Sequence, residues 1–96
     1  MRTAYLVTYD ICDDARLRRV FRIMRGYGDH LQYSVFRCEL TDMELIELKG
    51  RLSEAVHHWV DQVLFVQIGP VDGRGSTSIT AVGRKYEQPL RGAIVV

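Results

Sequence analysis

Ninety-six residues, 47% hydrophobic and 26% charged, suffice for one ordinary globular core and exclude two independent ones, so residues 1–96 are expected to form a single domain. Two cysteines exclude a disulfide scaffold, and no apolar run approaches the ~18 residues of a membrane span. The formal charge of +1 is uneven: seven Arg and four Asp lie between Met1 and Arg37, against two basic and six acidic residues from Cys38 to Pro70. Arg2 and Thr3 lead straight into a strand-like run without a small-residue cleavage site, which makes the cytoplasm the expected location and leaves no membrane partner. A domain this short buries a modest fraction of its surface, so self-association is a natural way to bury more.

Thr3 to Asp10 (TAYLVTYD) alternates and is rich in β-formers, which predicts a first strand. Asp13 or Asp14 then opens a helix whose Leu17, Val20, Phe21 and Met24 recur at the spacing of one buried face, and Gly26 and Gly28 end it. Gln32 to Leu40 (QYSVFRCEL) reads as a second strand, with Tyr33, Val35, Arg37 and Glu39 on one side and Ser34, Phe36 and Cys38 on the other. Thr41 and Glu44 form a capping box for a helix to about Val56, with Leu45, Leu48 and Leu52 inward and Gly50 either weakening its middle or allowing close packing. Val63 to Ile68 is a well-buried third strand, Gly69 to Ser76 a loop, and Thr77 to Val82 a fourth strand. This order, strand-helix-strand-helix-strand-strand, is close to the split βαβ pattern, and the expected fold is α+β, ferredoxin-like βαββαβ, an antiparallel sheet with both helices on one face. The terminal Ala93–Val96 run, β-prone and without an obvious partner, is expected to pair with another subunit.

Three carboxylates follow the first strand. Asp13 and Asp14 read as helix caps on the positive end of the dipole. Asp10 ends the strand, where it is either a turn residue or a ligand at the sheet rim. One carboxylate is a poor site for Mg²⁺, which takes an octahedron of oxygens, but two copies across a two-fold axis would remedy that. Arg16, Arg18, Arg19, Arg22 and Arg25 stud the next helix with no acid between Asp14 and Asp29, a sequence-independent footprint for a nucleic-acid backbone. His30 could approach a phosphate or carry a proton, whereas His57 and His58 suit a helix end. Gly69 to Ser76 matches no phosphate loop, with Arg74 a second candidate phosphate contact.

The strand end YDI with CDD, the LRRV run (Leu17 to Val20) and GDHLQYSVF (Gly28 to Phe36) together resemble the small CRISPR-associated nucleases of the spacer-acquisition module, the "Cas-two" proteins. The resemblance implies a homodimer whose C-terminal strands are exchanged between sheets. It implies Asp10 of each protomer holding a shared divalent ion, usually Mg²⁺, for cleavage of RNA or double-stranded DNA. It places Tyr9 beside the metal carboxylate, Arg19 at the motif's basic helix position, and Ser34 and Phe36 on the QYSVF strand as catalytic-site residues. Members often carry Arg where this chain has His30, which implies a weaker phosphate contact at neutral pH. The implied partners are RNA or duplex DNA and the CRISPR-associated integrase. A non-catalytic adaptor bridging integrase dimers is the alternative, and a ferredoxin-like small-ligand regulator a more distant one.

Overall fold

In a computed structural model, which describes residues 1–73 and 78–86, the elements are β1 (Thr3–Asp10), α1 (Asp14–Arg25), β2 (Gly28–Gln32), β3 (Val35–Leu40), α2 (Asp42–Ala55) and β4 (Gln62–Pro70). The strands form one antiparallel sheet in the order β2-β3-β1-β4. This is the expected ferredoxin-like βαββαβ arrangement.

Strand alternation decides which side is buried. Tyr5 and Val7 of β1 stand opposite Cys38 and Phe36 of β3, and opposite Gln67 and Phe65 of β4. The two helices cover this inner face, α1 through Val20 and Met24 and α2 through Leu48, Leu52 and Ala55. Val7, Val20, Met24, Phe36, Cys38 and Leu48 are fully buried, each of the larger apolar side chains stabilising the fold by roughly 1.5–3 kcal/mol. Asp13 caps α1 by accepting from the Arg16 N–H at 3.0 Å. In the capping box of α2, Thr41 Oγ1 accepts from the Glu44 N–H and the Glu44 carboxylate accepts from the Thr41 N–H, at 3.1 and 2.9 Å.

Four strand assignments differ from the sequence reading. Gly28 to Gln32, read as the stop of α1 and the approach to a strand, is itself strand β2. Gln32 to Leu40 is not one strand, because a turn at Tyr33 and Ser34 folds β2 back onto β3. That turn carries a single turn-favouring residue, Ser34, and no Gly, Pro, Asn or Asp, so its signal is weak. Gly28 is needed for strand approach: a Cβ there would lie 2.5 Å from both the Arg37 carbonyl oxygen and Cys38 Sγ. Strand β4 is longer than expected and only half buried, with Leu64 and Val66 each 50% exposed on the side the helices leave open. Residues 78–82 form no strand, and Arg74, Thr77 and the Ala93–Val96 run lie outside the described residues. Cys12 is exposed and Cys38 buried, and the two form no disulfide among the described residues.

Candidate functional site

The alternation that turns Tyr9 inward sends Asp10 to the outer face, at the last register pair of β1 with Gln62 of β4. Asp10 is exposed, and among the described residues nothing donates a hydrogen bond to its carboxylate. Among these residues no three His, Cys, Asp or Glu side chains converge in a way that could hold a metal ion. Asp10 therefore offers a free, hard-oxygen ligand that is half of a site at most.

The loop after Asp10 is fixed by a residue that sequence reasoning passed over. The Asp61 side chain is fully buried and accepts from the Cys12 N–H at 2.9 Å, the His57 N–H at 2.8 Å and Arg16 Nε at 2.7 Å. Cys12 Sγ adds a bond to the Val60 carbonyl at 3.0 Å. The Arg16 guanidinium, helped by the two backbone donors, holds the Asp61 carboxyl well below the usual carboxylate range against the opposing effect of burial. Asp61 thus ties the β1–α1 loop to the α2–β4 loop and anchors the chain just beyond Asp10. An Asp before a strand reads as a turn residue, and nothing in its spacing announces this role.

The same ion pair changes the meaning of the arginine row. Arg16 was grouped with Arg18, Arg19, Arg22 and Arg25 as a nucleic-acid contact, but two of its donors are spent on Asp61. Arg18, Arg19 and Arg22 are exposed and have no acidic partner among the described residues. Arg25 is exposed too, its guanidinium carbon 5.7 Å from the centre of the Phe21 ring. Four of the five cations therefore face outward from α1.

Tyr9, Ser34, Phe36 and His30 lie around the inner end of β1. Phe36 is wholly buried, its ring centroid 6.2 Å from Tyr9, 5.6 Å from Phe21 and 4.9 Å from His30. Even-numbered residues of β3 face the helices, so Phe36 supports neighbouring rings and does not itself reach solvent. The Ser34 carbonyl accepts from the Tyr9 N–H at 3.1 Å. His30 Nε2 donates to the Tyr33 carbonyl at 3.1 Å, which requires the proton on that nitrogen because a carbonyl can only accept. His30 thus steadies the turn as well as meeting Phe21 edge-on at 5.1 Å. Tyr9 is 7% exposed, and its hydroxyl is buried with no partner among the described residues. Burial, with a smaller contribution from Tyr33, pushes its phenol up from the ordinary value.

Beside these residues opens an almost wholly apolar pocket of ≈ 450 Å³, lined by Tyr9, Leu17, Phe21, His30 and Tyr33, with Arg18 and Arg22 completing its wall. Four of the residues picked out from sequence (Tyr9, Arg18, Arg22 and His30) meet there, while Asp10 stands on the opposite face of the sheet. Phe21 reads from sequence as core and Tyr33 as one side of a strand; the aromatic character of the pocket depends on both.

Residues 2–72 match the family model described as CRISPR associated protein Cas2. A CRISPR-associated endoribonuclease Cas2 of Thermodesulfovibrio yellowstonii is 46% identical over 86% of this chain and 88% of its own length. One from Geobacter sulfurreducens is 35% identical over 100% of both chains. Among solved structures, Streptococcus pyogenes Cas2 superimposes with a TM-score of 0.73 at 29% identity, covering 83% of this chain and 99% of that one.

Proposed function

The chain belongs to the CRISPR-associated Cas2 family, and from that membership we propose that it is a metal-dependent endonuclease of the spacer-acquisition machinery, acting on RNA or double-stranded DNA as a homodimer. The observation that carries the reading is Asp10, an exposed carboxylate at a strand end with no donor bound to it among the described residues. Hard oxygen is the ligand Mg²⁺ takes, and one carboxylate leaves most of its octahedron unfilled. A second Asp10 across a two-fold axis doubles the protein's share, and Leu64 and Val66, half exposed on the same face, are the apolar surface such a dimer would cover. The C-terminal strand of each subunit is proposed to extend the sheet of the other.

When bound, a divalent ion would lower the pKa of its water and offset charge on the phosphodiester. The chain's own residues do the rest. Asp10 would hold the ion at the sheet rim, the Asp61 anchor fixes the loop behind it, and Arg18, Arg19 and Arg22 would hold the strand by its phosphates. Tyr9 and Phe36 act from the inner face, keeping the end of β1 and the turn at Ser34 in place.

The test is Asp10→Ala in the purified protein, with labelled RNA and duplex DNA and a titration of Mg²⁺. Cleavage is expected to fall by roughly a hundredfold or more, with duplex affinity and the thermal midpoint unchanged. The four outward arginines favour a second reading, an adaptor that holds duplex DNA and the CRISPR-associated integrase without cutting. A wild-type protein that binds duplex, never cuts with any divalent metal, and supports spacer acquisition equally well as Asp10→Ala would establish that reading instead.

A further inference from the structure

The pocket against α1 is not accounted for by a carboxylate on the other face of the sheet, nor by cations that grip a backbone. It is ≈ 450 Å³, within the range of small-molecule sites, and its wall is almost all apolar. Two aromatic rings define it: Phe21, held edge-on by His30 and Phe36, and Tyr33, 79% exposed on its turn. Tyr9 lines the same pocket and is a third observation: the residue is more than nine-tenths buried, and its hydroxyl has no partner among the described residues. An unsatisfied buried hydroxyl is costly and calls for a polar group to meet it. Arg18 and Arg22 line the same pocket and are free of acidic partners among the described residues.

A flat ring with polar edges, flanked by anions, satisfies all of these features together. We propose that the pocket takes one unpaired nucleobase of a bound strand, stacked against Tyr33 and Phe21 with an edge at the Tyr9 hydroxyl, while Arg18 and Arg22 hold the adjoining phosphates. The inference rests on the nucleic-acid reading above and refines its substrate: a strand with an unstacked base, such as single-stranded RNA or a frayed duplex end. A base-paired nucleotide cannot enter, because its faces are stacked and its edge is used. His30 serves as a positioning residue, since its bond to the Tyr33 carbonyl sets the turn that carries the stacking ring.

The experiment compares two strands of equal length and phosphate count, one abasic throughout and one carrying a single 2-aminopurine. Backbone contacts cancel between them, so the difference reports the base alone. Stacking on aromatic rings predicts binding about tenfold tighter for the 2-aminopurine strand, with its fluorescence quenched on binding. Tyr33→Ala is expected to remove that preference and most of the quench while leaving the abasic strand's affinity unchanged. Tyr9→Phe keeps the quench but lowers the preference by about threefold, the loss of one hydrogen bond. Equal affinities without quenching would overturn the pocket and leave backbone binding standing, whereas failure of both strands to bind would overturn the two readings together. A quench that survives Tyr33→Ala in full also overturns the assignment. Displacement of the strand by micromolar adenosine monophosphate would reassign the pocket to a free nucleotide.

Discussion

The two faces of the sheet are built from the same strands and are covered to different degrees, although Arg37, opposite Leu6 on the outer face, is buried and paired with Glu39. On the inner face Tyr5, Val7 and Tyr9 meet Phe36, Cys38 and Leu40 under both helices, and the core residues there are buried to within a few per cent. On the outer face Leu6, Thr8 and Asp10 share their side with Leu64 and Val66, which remain half exposed, while Ile79 and Tyr86 line a groove with Leu6 and Val35. Because strand side chains alternate, neighbours as close as Tyr9 and Asp10 are assigned to different environments. The difference teaches that stability and the proposed assembly are separable here: the inner face holds the subunit together, and the outer face is where a second subunit would have something to cover.

The loss of cleavage in Asp10→Ala is the largest effect this division predicts, since it touches the outer face and leaves the core intact. Next come two matched leucines. Leu48→Ala empties a fully buried position and is expected to lower stability by about 2–5 kcal/mol, independent of protein concentration. Leu64→Asp, at a half-exposed position, should leave the subunit folded and weaken the proposed dimer, visible by sedimentation. Both lower cleavage, but cooling rescues the first and raising protein concentration the second. Rescue of Leu64→Asp by cooling alone would erase the distinction between the faces.

A smaller effect belongs to Asp61, which joins loops at the inner side's edge. Its folded-state pKa is depressed, chiefly by Arg16, so the unfolded chain binds the proton more readily. The resulting stability is fully present above the unfolded value near ~3.9 and is lost as pH falls toward the folded one. Asp61→Asn keeps one oxygen, for either the Cys12 or the His57 N–H, and discards the ion pair together with the other backbone bond. Its thermal midpoint should therefore be several degrees lower at neutral pH and converge with wild type in acid. Parallel curves across pH would show that the backbone bonds, and not Arg16, carry the loop.

The legible parts of this chain were the ones with local signals. The alternation of Thr3–Asp10, the Asp13 cap and the Thr41–Glu44 box each depend on residues a few positions apart, and each lies where the sequence reading has it. The turn at Tyr33 and Ser34 was hidden because Ser34 is its one turn-favouring residue and strand formers flank it, so two strands read as one. Asp61 was hidden for another reason: its partners Cys12 and Arg16 are 49 and 45 positions away, and only the fold brings them together. The five-arginine row was legible as a row, but not the diversion of Arg16 from it. Asp10 was distinguishable from Asp13 and Asp14 by its place at a strand end, while the aromatic pocket required knowing that β2 folds back beside α1.

The smallest effect probes a surface belonging to neither face. Gly50 sits inside α2, and a Cβ added there meets nothing within 4 Å, so close packing within the subunit is not the reason for a glycine at that position. A helix interior with free space should prefer alanine, and Gly50→Ala is expected to stabilise the isolated subunit by about 0.5–1 kcal/mol. Chemical denaturation at low protein concentration measures that gain directly. If the gain appears while association with a second copy or with the integrase weakens, a partner approaches the α2 backbone at Gly50, and the division into a closed inner side and an open outer face needs a third surface. If stability rises and association is unchanged, no partner approaches the α2 backbone at Gly50.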